Sequence, residues 1–297
     1  MKRLVLSAVL ALTAFITVNA KEIKVALACS SACESYRQNP NVDCDPRRVW
    51  GWGEVLDNYF YDDVKVLNFA KSGRSTVTFR TEGWWDKLLA SKPDYVIMAL
   101  GANDNKPGPR HTDAKTTFKD NLRRYYREAT AVGAKVIFVT LNQSMYRNAK
   151  DEPAFMNGKV LRRDRVPYSN AIREVAKEFN VPCLDLFAEQ EKAMELIGEA
   201  ECAKFYCIQR KSDRYDPSHT NIVGAHFVAN IIASELSKAK TPLAQMVHTK
   251  RLWPYKITVK AVPPKQRKTK AGVPVAGTVR ANKKTQASKV SSNLSDI

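Results

Sequence analysis

Five short apolar runs alternate along this chain with longer amphipathic stretches, and this alternation limits the folds that the chain can adopt. The apolar runs, rich in β-branched and aromatic residues, are residues 23–28, 64–69, 95–100, 136–140 and 183–186. Helical patterns cover residues 116–132, 168–179 and 221–237. Continuous apolar strands separated by helices are typical of a parallel sheet that helices cover on both faces. Residues 21–240 are therefore predicted to form one α/β domain.

Four short blocks of polar and small residues stand directly after predicted strands or in a loop beside one. In chain order they are residues 27–31 (LACSS), 68–75 (NFAKSGRS), 101–104 (GAND) and 216–219 (DPSH). In open parallel sheets, ligands bind in the crevice beyond the carboxyl ends of the strands. The positions of the blocks therefore predict that their side chains meet in one site at that edge of the sheet.

Asp216 and His219 have the residue types of a carboxylate–imidazole pair. The carboxylate can accept a hydrogen bond from one ring nitrogen while the other nitrogen faces a nucleophile. Ser31, at the predicted end of the first strand, is the candidate nucleophile, and its backbone N–H could also face an oxyanion. Taken alone, His219 could instead cap or pack the final helix, and Ser30 and Ser31 could be ordinary turn or N-cap residues.

Gly73 and Asn103 are candidates for the remaining groups of an oxyanion hole. A glycine lets its backbone N–H approach a substrate closely, and an asparagine side-chain amide supplies a second donor. Donors fixed in this way stabilise the negative charge that develops on the carbonyl oxygen during acyl transfer. Each residue alone could be an ordinary turn or loop residue, but the occurrence of all four blocks in this order favours a catalytic site.

The ordered blocks resemble those of the SGNH (GDSL-type) hydrolases, in particular their rhamnogalacturonan acetylesterase-like branch, over residues 23–238. Further motifs similar to this branch are Trp50-Gly51-Trp52-Gly53, Gly73-Arg74-Ser75 with Phe79, Glu82-Gly83-Trp84-Trp85, His111-Thr112-Asp113 and Gly224-Ala225. The resemblance implies a three-layer α/β/α sandwich with a doubly wound, mainly five-stranded parallel sheet of the flavodoxin-like type. It also implies a triad of Ser31, His219 and Asp216, with the Ser31 N–H, Gly73 and Asn103 as oxyanion donors.

The activity implied by the resemblance is that of a secreted serine esterase that needs no metal or organic cofactor. It would remove O-acetyl groups from a plant-type polysaccharide such as pectin or rhamnogalacturonan. The chain departs from the family at the nucleophile, where it reads Cys29-Ser30-Ser31-Ala32 in place of the usual Gly-Asp-Ser-Thr. Two alternatives stay open: an esterase acting on a lipid or another acylated glycan, and a catalytically degenerate carbohydrate-binding protein on the same fold.

The two ends of the chain differ in composition from the predicted domain. Residues 1–20 combine a basic start, an apolar run and a small-residue site ending at Ala20. This is the pattern of a signal peptide cleaved after Ala20, so the protein is expected to be secreted or periplasmic. Residues 241–297 are predicted to be a basic, largely disordered tail, in which residues 241–262 keep enough apolar side chains to dock onto the domain.

The net charge of +18 is concentrated in the tail. From residue 238 onward 14 Lys and Arg residues stand against one acid. Because Lys2 and Arg3 add two positive charges at the start of the chain, residues 21–237 have a net charge of only +3. Secretion and the lack of a recognition motif argue against nucleic acid as a partner, and no long apolar run after residue 20 predicts a membrane span. The expected partner is an acetylated, anionic polysaccharide, and the sequence leaves the oligomeric state undetermined.

Six cysteines in a secreted chain favour disulfides. Pairing Cys202 with Cys207, or Cys33 with Cys44, would close a short loop, whereas simple burial explains Cys29 and Cys183 equally well.

Some further residues have types that occur in metal, acid–base or sugar-binding sites. His111 and Asp113 are expected to line the cleft and not to bind a metal, and His226 is expected to be packed inside the domain. Trp84 and Trp85 could either form a sugar-stacking platform or pack in the core.

Overall fold

The computed structural model describes residues 22–38, 47–160, 162–209 and 214–253. Its strands are β1 (Ile23–Cys29), β2 (Val64–Asn68), β3 (Tyr95–Ala99), β4 (Lys135–Val139), β5 (Tyr146–Arg147), β6 (Pro153–Ala154), β7 (Cys183–Leu184), β8 (Tyr206–Ile208) and β9 (Tyr215–Thr220). Its α-helices are α1 (Trp52–Val55), α2 (Thr78–Thr81), α3 (Trp84–Ala90), α4 (Thr117–Ala131), α5 (Val166–Glu178), α6 (Leu186–Ile197), α7 (Glu199–Ala203) and α8 (Ile222–Lys238). Short 3-10 turns lie at Tyr36–Gln38, Leu56–Tyr59, Arg163–Arg165, Pro242–Met246 and Thr249–Arg251.

The central sheet has five parallel strands in the order β2-β1-β3-β4-β7. These strands form where the five apolar runs predicted them. The chain winds in opposite directions on either side of β1 and β3, and the carboxyl ends of these two strands therefore open a crevice. Ser31 follows β1, Gly73 follows β2 and Asn103 follows β3. The predicted α/β fold with a doubly wound parallel sheet is confirmed.

Alternate residues of each strand face opposite sides of the sheet and enter two separate cores. Val25 and Leu27 of β1 pack with helices α1, α6 and α8, whereas Ala26 and Ala28 pack with helices α3, α4 and α5. All four of these side chains are fully buried. Helices therefore cover both faces, and only the ends of the strands remain available for a site.

The segment that carries Asp216 and His219 is part of a strand, where the sequence predicted a loop. Strand β9 pairs antiparallel with β8, but its register shifts: Cys207 pairs with Asp216, whereas the preceding Tyr206 pairs with Thr220. Residues 217–219 are thus extra residues on one strand, and a bulge of this kind re-aims side chains. The sequence analysis predicted no strand at the position of β8, so it could not predict that β9 pairs with it.

Residues that follow the predicted boundary at residue 240 pack against the domain. Leu243, Met246 and Val247 are buried. The side chain of Asn230 on α8 donates to the carbonyl of Trp253 (3.0 Å) and accepts from its backbone N–H (3.1 Å). The apolar residues after α8 therefore pack against the domain, as expected for residues 241–262, and the boundary at residue 240 stays a prediction. The predicted signal peptide, and the tail from residue 254 onward, lie outside the described residues.

Membrane crossing requires a helix that is both long and apolar. No helix in the described ranges meets both conditions.

The predicted disulfide between Cys202 and Cys207 is wrong for this structure. Both residues are buried free thiols, and the Cys202 thiol donates to the carbonyl of Met194 at 3.4 Å. The backbone carbonyl satisfies this thiol, and a sequence does not reveal such a partner. Cys33 is also a buried free thiol, and Cys44, the other half of the second predicted pair, lies outside the described residues.

Candidate active site

Ser31 lies in a tight turn directly after β1. The backbone N–H of Cys33 donates to the carbonyl of Ser30 at 3.0 Å, which closes this turn. Ser30 is 1% exposed, whereas Ser31 is partly exposed. Of the two adjacent serines, only Ser31 therefore presents its hydroxyl to the crevice, as its predicted role requires.

Ser31, His219 and Asp216 form a continuous line of hydrogen bonds. The Ser31 Oγ lies 2.9 Å from Nε2 of His219, and Nδ1 of the same ring lies 2.8 Å from Oδ2 of Asp216. An ionised carboxylate only accepts hydrogen bonds, so Nδ1 carries the proton and Nε2 is left as the acceptor for the serine hydroxyl. This geometry allows the imidazole to take the proton of Ser31 when the oxygen attacks an ester.

The surroundings of Asp216 keep its carboxyl group ionised. Partial burial acts to raise the pKa of Asp216, but the hydrogen bond and charge of His219 outweigh it and hold that pKa below its ordinary value. The backbone N–H groups of Ser218 and His219 also donate to Oδ1, at 2.8 and 3.3 Å. With one oxygen fixed by the bulge of β9, the other oxygen is directed at the ring.

The three groups predicted to donate in an oxyanion hole are the backbone N–H groups of Ser31 and Gly73 and the side-chain amide of Asn103. Gly73 has a φ of +77°, a left-handed conformation that favours glycine. Within the described part of the chain, the N–H groups of Gly73 and Ser31 make no hydrogen bond. Asn103 uses one amide hydrogen to donate to the carbonyl of Arg74 at 3.1 Å, which leaves its second hydrogen for a ligand.

Replacing Asn103 by alanine is expected to lower kcat for an ester substrate by about 10²–10³-fold, because one preorganised oxyanion donor is lost. The KM should change little, since the donor interacts most strongly with the charge of the transition state. Steady-state kinetics on 4-nitrophenyl acetate would measure both constants. An unchanged kcat in this variant would show that Asn103 does not act as an oxyanion donor.

Asp104, next to Asn103, fixes the loop that carries the Asn103 amide. Its buried carboxylate accepts from the backbone N–H of Thr76 (3.1 Å), the hydroxyl of Thr76, and the hydroxyl of Thr112 (2.9 Å). Burial raises the pKa of Asp104 to about 6, although these hydrogen bonds oppose the shift. The sequence motif contained this residue but gave no indication of its role, which is to join three segments below the site.

Two site residues were missed by the sequence analysis, because their function depends on contacts between distant segments. Glu34 accepts a hydrogen bond from the backbone N–H of Ser72 at 2.7 Å. The hydroxyl of Tyr36 donates to the carbonyl of Ser31 at 2.9 Å and lies 3.0 Å from Oγ of Ser72. Their only sequence signal was their position, three and five residues after the candidate nucleophile.

The two remaining candidate histidines make no hydrogen bond to Ser31, His219 or Asp216 within the described residues. Burial lowers the pKa of His226 to about 4, and its Nδ1 lies 3.4 Å from the hydroxyl of Tyr59, so the ring is neutral and packed as predicted. His111 is exposed, and Asp113 accepts from the backbone N–H of Lys115 (2.9 Å) ahead of α4. No group of three or more His, Cys, Asp or Glu side chains in the described ranges is arranged to hold a metal ion.

The two tryptophans have different surroundings. Trp85 is fully buried, packs edge-on against Tyr125 and donates from its ring nitrogen to Glu128 at 2.6 Å. Trp84 is partly buried, and the ammonium groups of Lys71 and Lys87 lie 5.5 and 4.5 Å from the centre of its ring. Trp85 is thus a core residue, and lysine side chains already lie over the ring of Trp84.

An α/β sandwich with a serine, a histidine and a carboxylate joined at the carboxyl edge of its sheet is typical of the serine hydrolases of the SGNH superfamily. Residues 34–200 match the profile of the GDSL-like Lipase/Acylhydrolase family, which is more than half of the chain, and the chain belongs to this family. It is therefore a carboxylic ester hydrolase by family. The matched span begins after Ser31 and ends before Asp216.

Individual relatives support the same assignment. The chain is 31% identical to rhamnogalacturonan acetylesterase RhgT of Bacillus subtilis over 212 residues, covering 68% of this chain and 87% of that protein. It is 27% identical to the probable rhamnogalacturonan acetylesterase YesY of the same organism, covering 76% and 97%. The predicted resemblance to this branch of the superfamily is confirmed.

A solved structure confirms the fold. The crystal structure of Bacillus subtilis YxiM superimposes with a TM-score of 0.56 at 24% sequence identity. The superposition covers 73% of this chain and 56% of that one, so this chain spans little more than half of the YxiM chain.

Proposed function

We propose that this protein is a serine esterase that removes O-acetyl groups from a polysaccharide. His219 takes the proton of the Ser31 hydroxyl, and Ser31 Oγ attacks the acetyl carbonyl to form a tetrahedral intermediate. The N–H groups of Ser31 and Gly73 and the amide of Asn103 hold its oxyanion. His219 then protonates the departing sugar hydroxyl, and a water molecule activated by the same imidazole hydrolyses the acetyl-enzyme.

One observation carries the proposal: the Ser31 hydroxyl lies 2.9 Å from an imidazole nitrogen whose ring is held by Asp216. A serine that is only a turn residue would not require an imidazole at hydrogen-bonding distance. A histidine that only caps α8 would direct its ring toward the helix, but the side chain of Asn221 caps α8 by accepting from Gly224 N–H at 3.0 Å. The alternative roles of both residues thus have less support than the catalytic ones.

The proposed substrate is an acetylated pectin-type polysaccharide such as rhamnogalacturonan. The two relatives above carry that substrate in their names. An arginine near the oxyanion donor supports an anionic sugar: Nη1 of Arg110 lies 3.8 Å from the point where a Cβ on Gly73 would stand. Within the described residues Arg110 has no ion-pair partner, so its guanidinium is available to a carboxylate of the substrate.

Replacing Arg110 by glutamine is expected to lower kcat/KM for acetylated rhamnogalacturonan by about tenfold, because one charge-assisted hydrogen bond to the sugar is lost. The rate on 4-nitrophenyl acetate, which has no carboxylate, should stay near that of the wild type. Equal losses on both esters would argue that Arg110 supports the site itself and does not select an anionic substrate.

Acetate release by the purified mature protein tests the proposed function. The rates on acetylated rhamnogalacturonan, acetylated xylan and a short-chain lipid ester should rank in that order. A preference for the lipid ester would favour the alternative esterase. Binding of the polysaccharide without turnover of any ester would favour the degenerate carbohydrate-binding protein. This alternative arises because Cys29 and Ser30 replace the Gly-Asp that usually precedes the nucleophile in the family.

We further propose that residues 1–20 direct the protein out of the cytoplasm and are removed after Ala20. The catalytic domain then extends to at least Trp253, and the basic tail follows. The tail would bind anionic polysaccharide electrostatically, and such an interaction is screened by salt beyond about 8 Å at physiological ionic strength. N-terminal sequencing of the exported protein and pectate binding by a chain truncated after Trp253 test these two points.

A further inference from the structure

The segment that carries the Gly73 oxyanion donor has no regular secondary structure. It lies between β2 and α2, and the side chains of Glu34 and Tyr36, which follow the turn at Ser31, hold it in place. Oε2 of Glu34 accepts from the backbone N–H of Ser72 at 2.7 Å, and Oε1 accepts from Nζ of Lys71 at 2.8 Å. A carboxylate three residues after Ser31 thus reaches the residue directly before Gly73.

The hydrogen bonds on either side of Ser72 determine where the Gly73 N–H points. In a planar trans peptide the C=O and the following N–H point in opposite directions. The carbonyl of Ser72 accepts from Nη1 of Arg74 at 2.7 Å, and Nε of Arg74 is held in turn by Glu82 at 2.7 Å. Arg74 therefore fixes the carbonyl end of the Ser72–Gly73 peptide, and Glu34 fixes the N–H of the preceding peptide.

The backbone of Glu34 is itself rigidly held. A Cβ added to Gly51 would lie 2.3 Å from the carbonyl oxygen of Glu34, so only a glycine allows this close backbone contact. The backbone N–H of Tyr36 donates to Glu54 at 3.1 Å, and the Tyr36 hydroxyl links the Ser31 carbonyl to the Ser72 side chain. The segment of residues 31–36 and the segment that carries Gly73 are thereby joined at two points, through Glu34 and through Tyr36.

Glu34 also remains charged at neutral pH. Partial burial acts to raise the pKa of Glu34, but the hydrogen bonds from Lys71 and Ser72 outweigh it and hold that pKa below its ordinary value. The ammonium group of Lys71 pairs with this charge at 2.8 Å.

We propose that Glu34 is a positioning residue for the reaction: it fixes the distance between the Ser31 hydroxyl and the Gly73 N–H by holding Ser72. The proposal rests on the proposed esterase function. Because the contact acts on a donor that is used in the transition state, its loss lowers kcat and leaves KM nearly unchanged.

Kinetics of four variants of the full mature chain on 4-nitrophenyl acetate test this proposal. Glu34→Ala should lower kcat by about 10–100-fold, less than the removal of a donor, with KM within about twofold. Glu34→Gln keeps an acceptor oxygen for the Ser72 N–H and should retain kcat within about fivefold. Lys71→Ala removes the partly exposed ion pair and the contact with the Trp84 ring but leaves the bond between Ser72 and Glu34, and it should cost at most about fivefold. Glu178→Ala, which removes the carboxylate paired with Arg123 away from the site, should match the wild type.

Titration of active enzyme with an alkylphosphonate ester, continued to completion, corrects each rate for misfolded protein. An unchanged kcat per active site in Glu34→Ala would overturn the proposal. So would a Glu34→Gln or Lys71→Ala variant as impaired as Glu34→Ala, because the charge and not the bond to Ser72 would then matter. An inactive wild type would contradict the esterase function and this proposal together, whereas an active wild type with an unaffected Glu34→Ala contradicts this proposal alone.

Discussion

Replacing Ser31 by alanine is expected to lower kcat for ester hydrolysis by about 10⁴-fold or more, because the acyl-enzyme can no longer form. The fold should be unaffected, since Ser31 is partly exposed and its side chain contacts only the imidazole within the described hydrogen bonds. The residual rate should come from the oxyanion donors and substrate binding. Initial rates on 4-nitrophenyl acetate and the far-UV circular dichroism spectrum measure both expectations.

Ser30→Ala is the matched control for this prediction. Ser30 is the adjacent residue and of the same type, but it is 1% exposed and, within the described residues, makes no hydrogen bond to the imidazole. The Ser30→Ala enzyme should keep most of the wild-type activity. If Ser30→Ala were inactive and Ser31→Ala active, the nucleophile would be assigned to the wrong residue.

Replacing His219 by alanine is expected to cause a loss of the same order as Ser31→Ala, because the serine hydroxyl then has no base at 2.9 Å. The double variant Ser31→Ala/His219→Ala should be no slower than either single variant, since residues that act as one unit are not additive. Rates measured for the two single variants and the double variant give the coupling directly. A second loss as large as the first would show that the two residues act independently.

The positions of the five sheet strands along the chain, and the edge of the sheet at which the candidate site lies, could be predicted from the sequence because both follow from local patterns. An apolar run of five or six residues ends where its strand ends, so Ser31, Gly73 and Asn103 could be placed at one edge without any knowledge of contacts. The pair of Asp216 and His219 was predictable because the two residues are only three apart in the chain.

Features that depend on contacts between distant segments could not be predicted in the same way. The bond from Ser72 to Glu34 joins residues 38 positions apart, and nothing in the local sequence of either residue indicates it. The bulge in β9 exists only because β8 pairs with it. The charge of the tail is visible in the sequence, whereas the burial of a particular apolar residue such as Leu243 is not.

Covalent labelling tests directly whether Ser31 is the nucleophile and whether His219 activates it. A 4-nitrophenyl alkylphosphonate forms a stable adduct with such a serine, and peptide mass spectrometry locates the adduct. We expect one adduct per chain, on Ser31, formed rapidly by the wild type and at least about 10³-fold more slowly by His219→Ala. An adduct on any other residue, or equally fast labelling of His219→Ala, would contradict these roles.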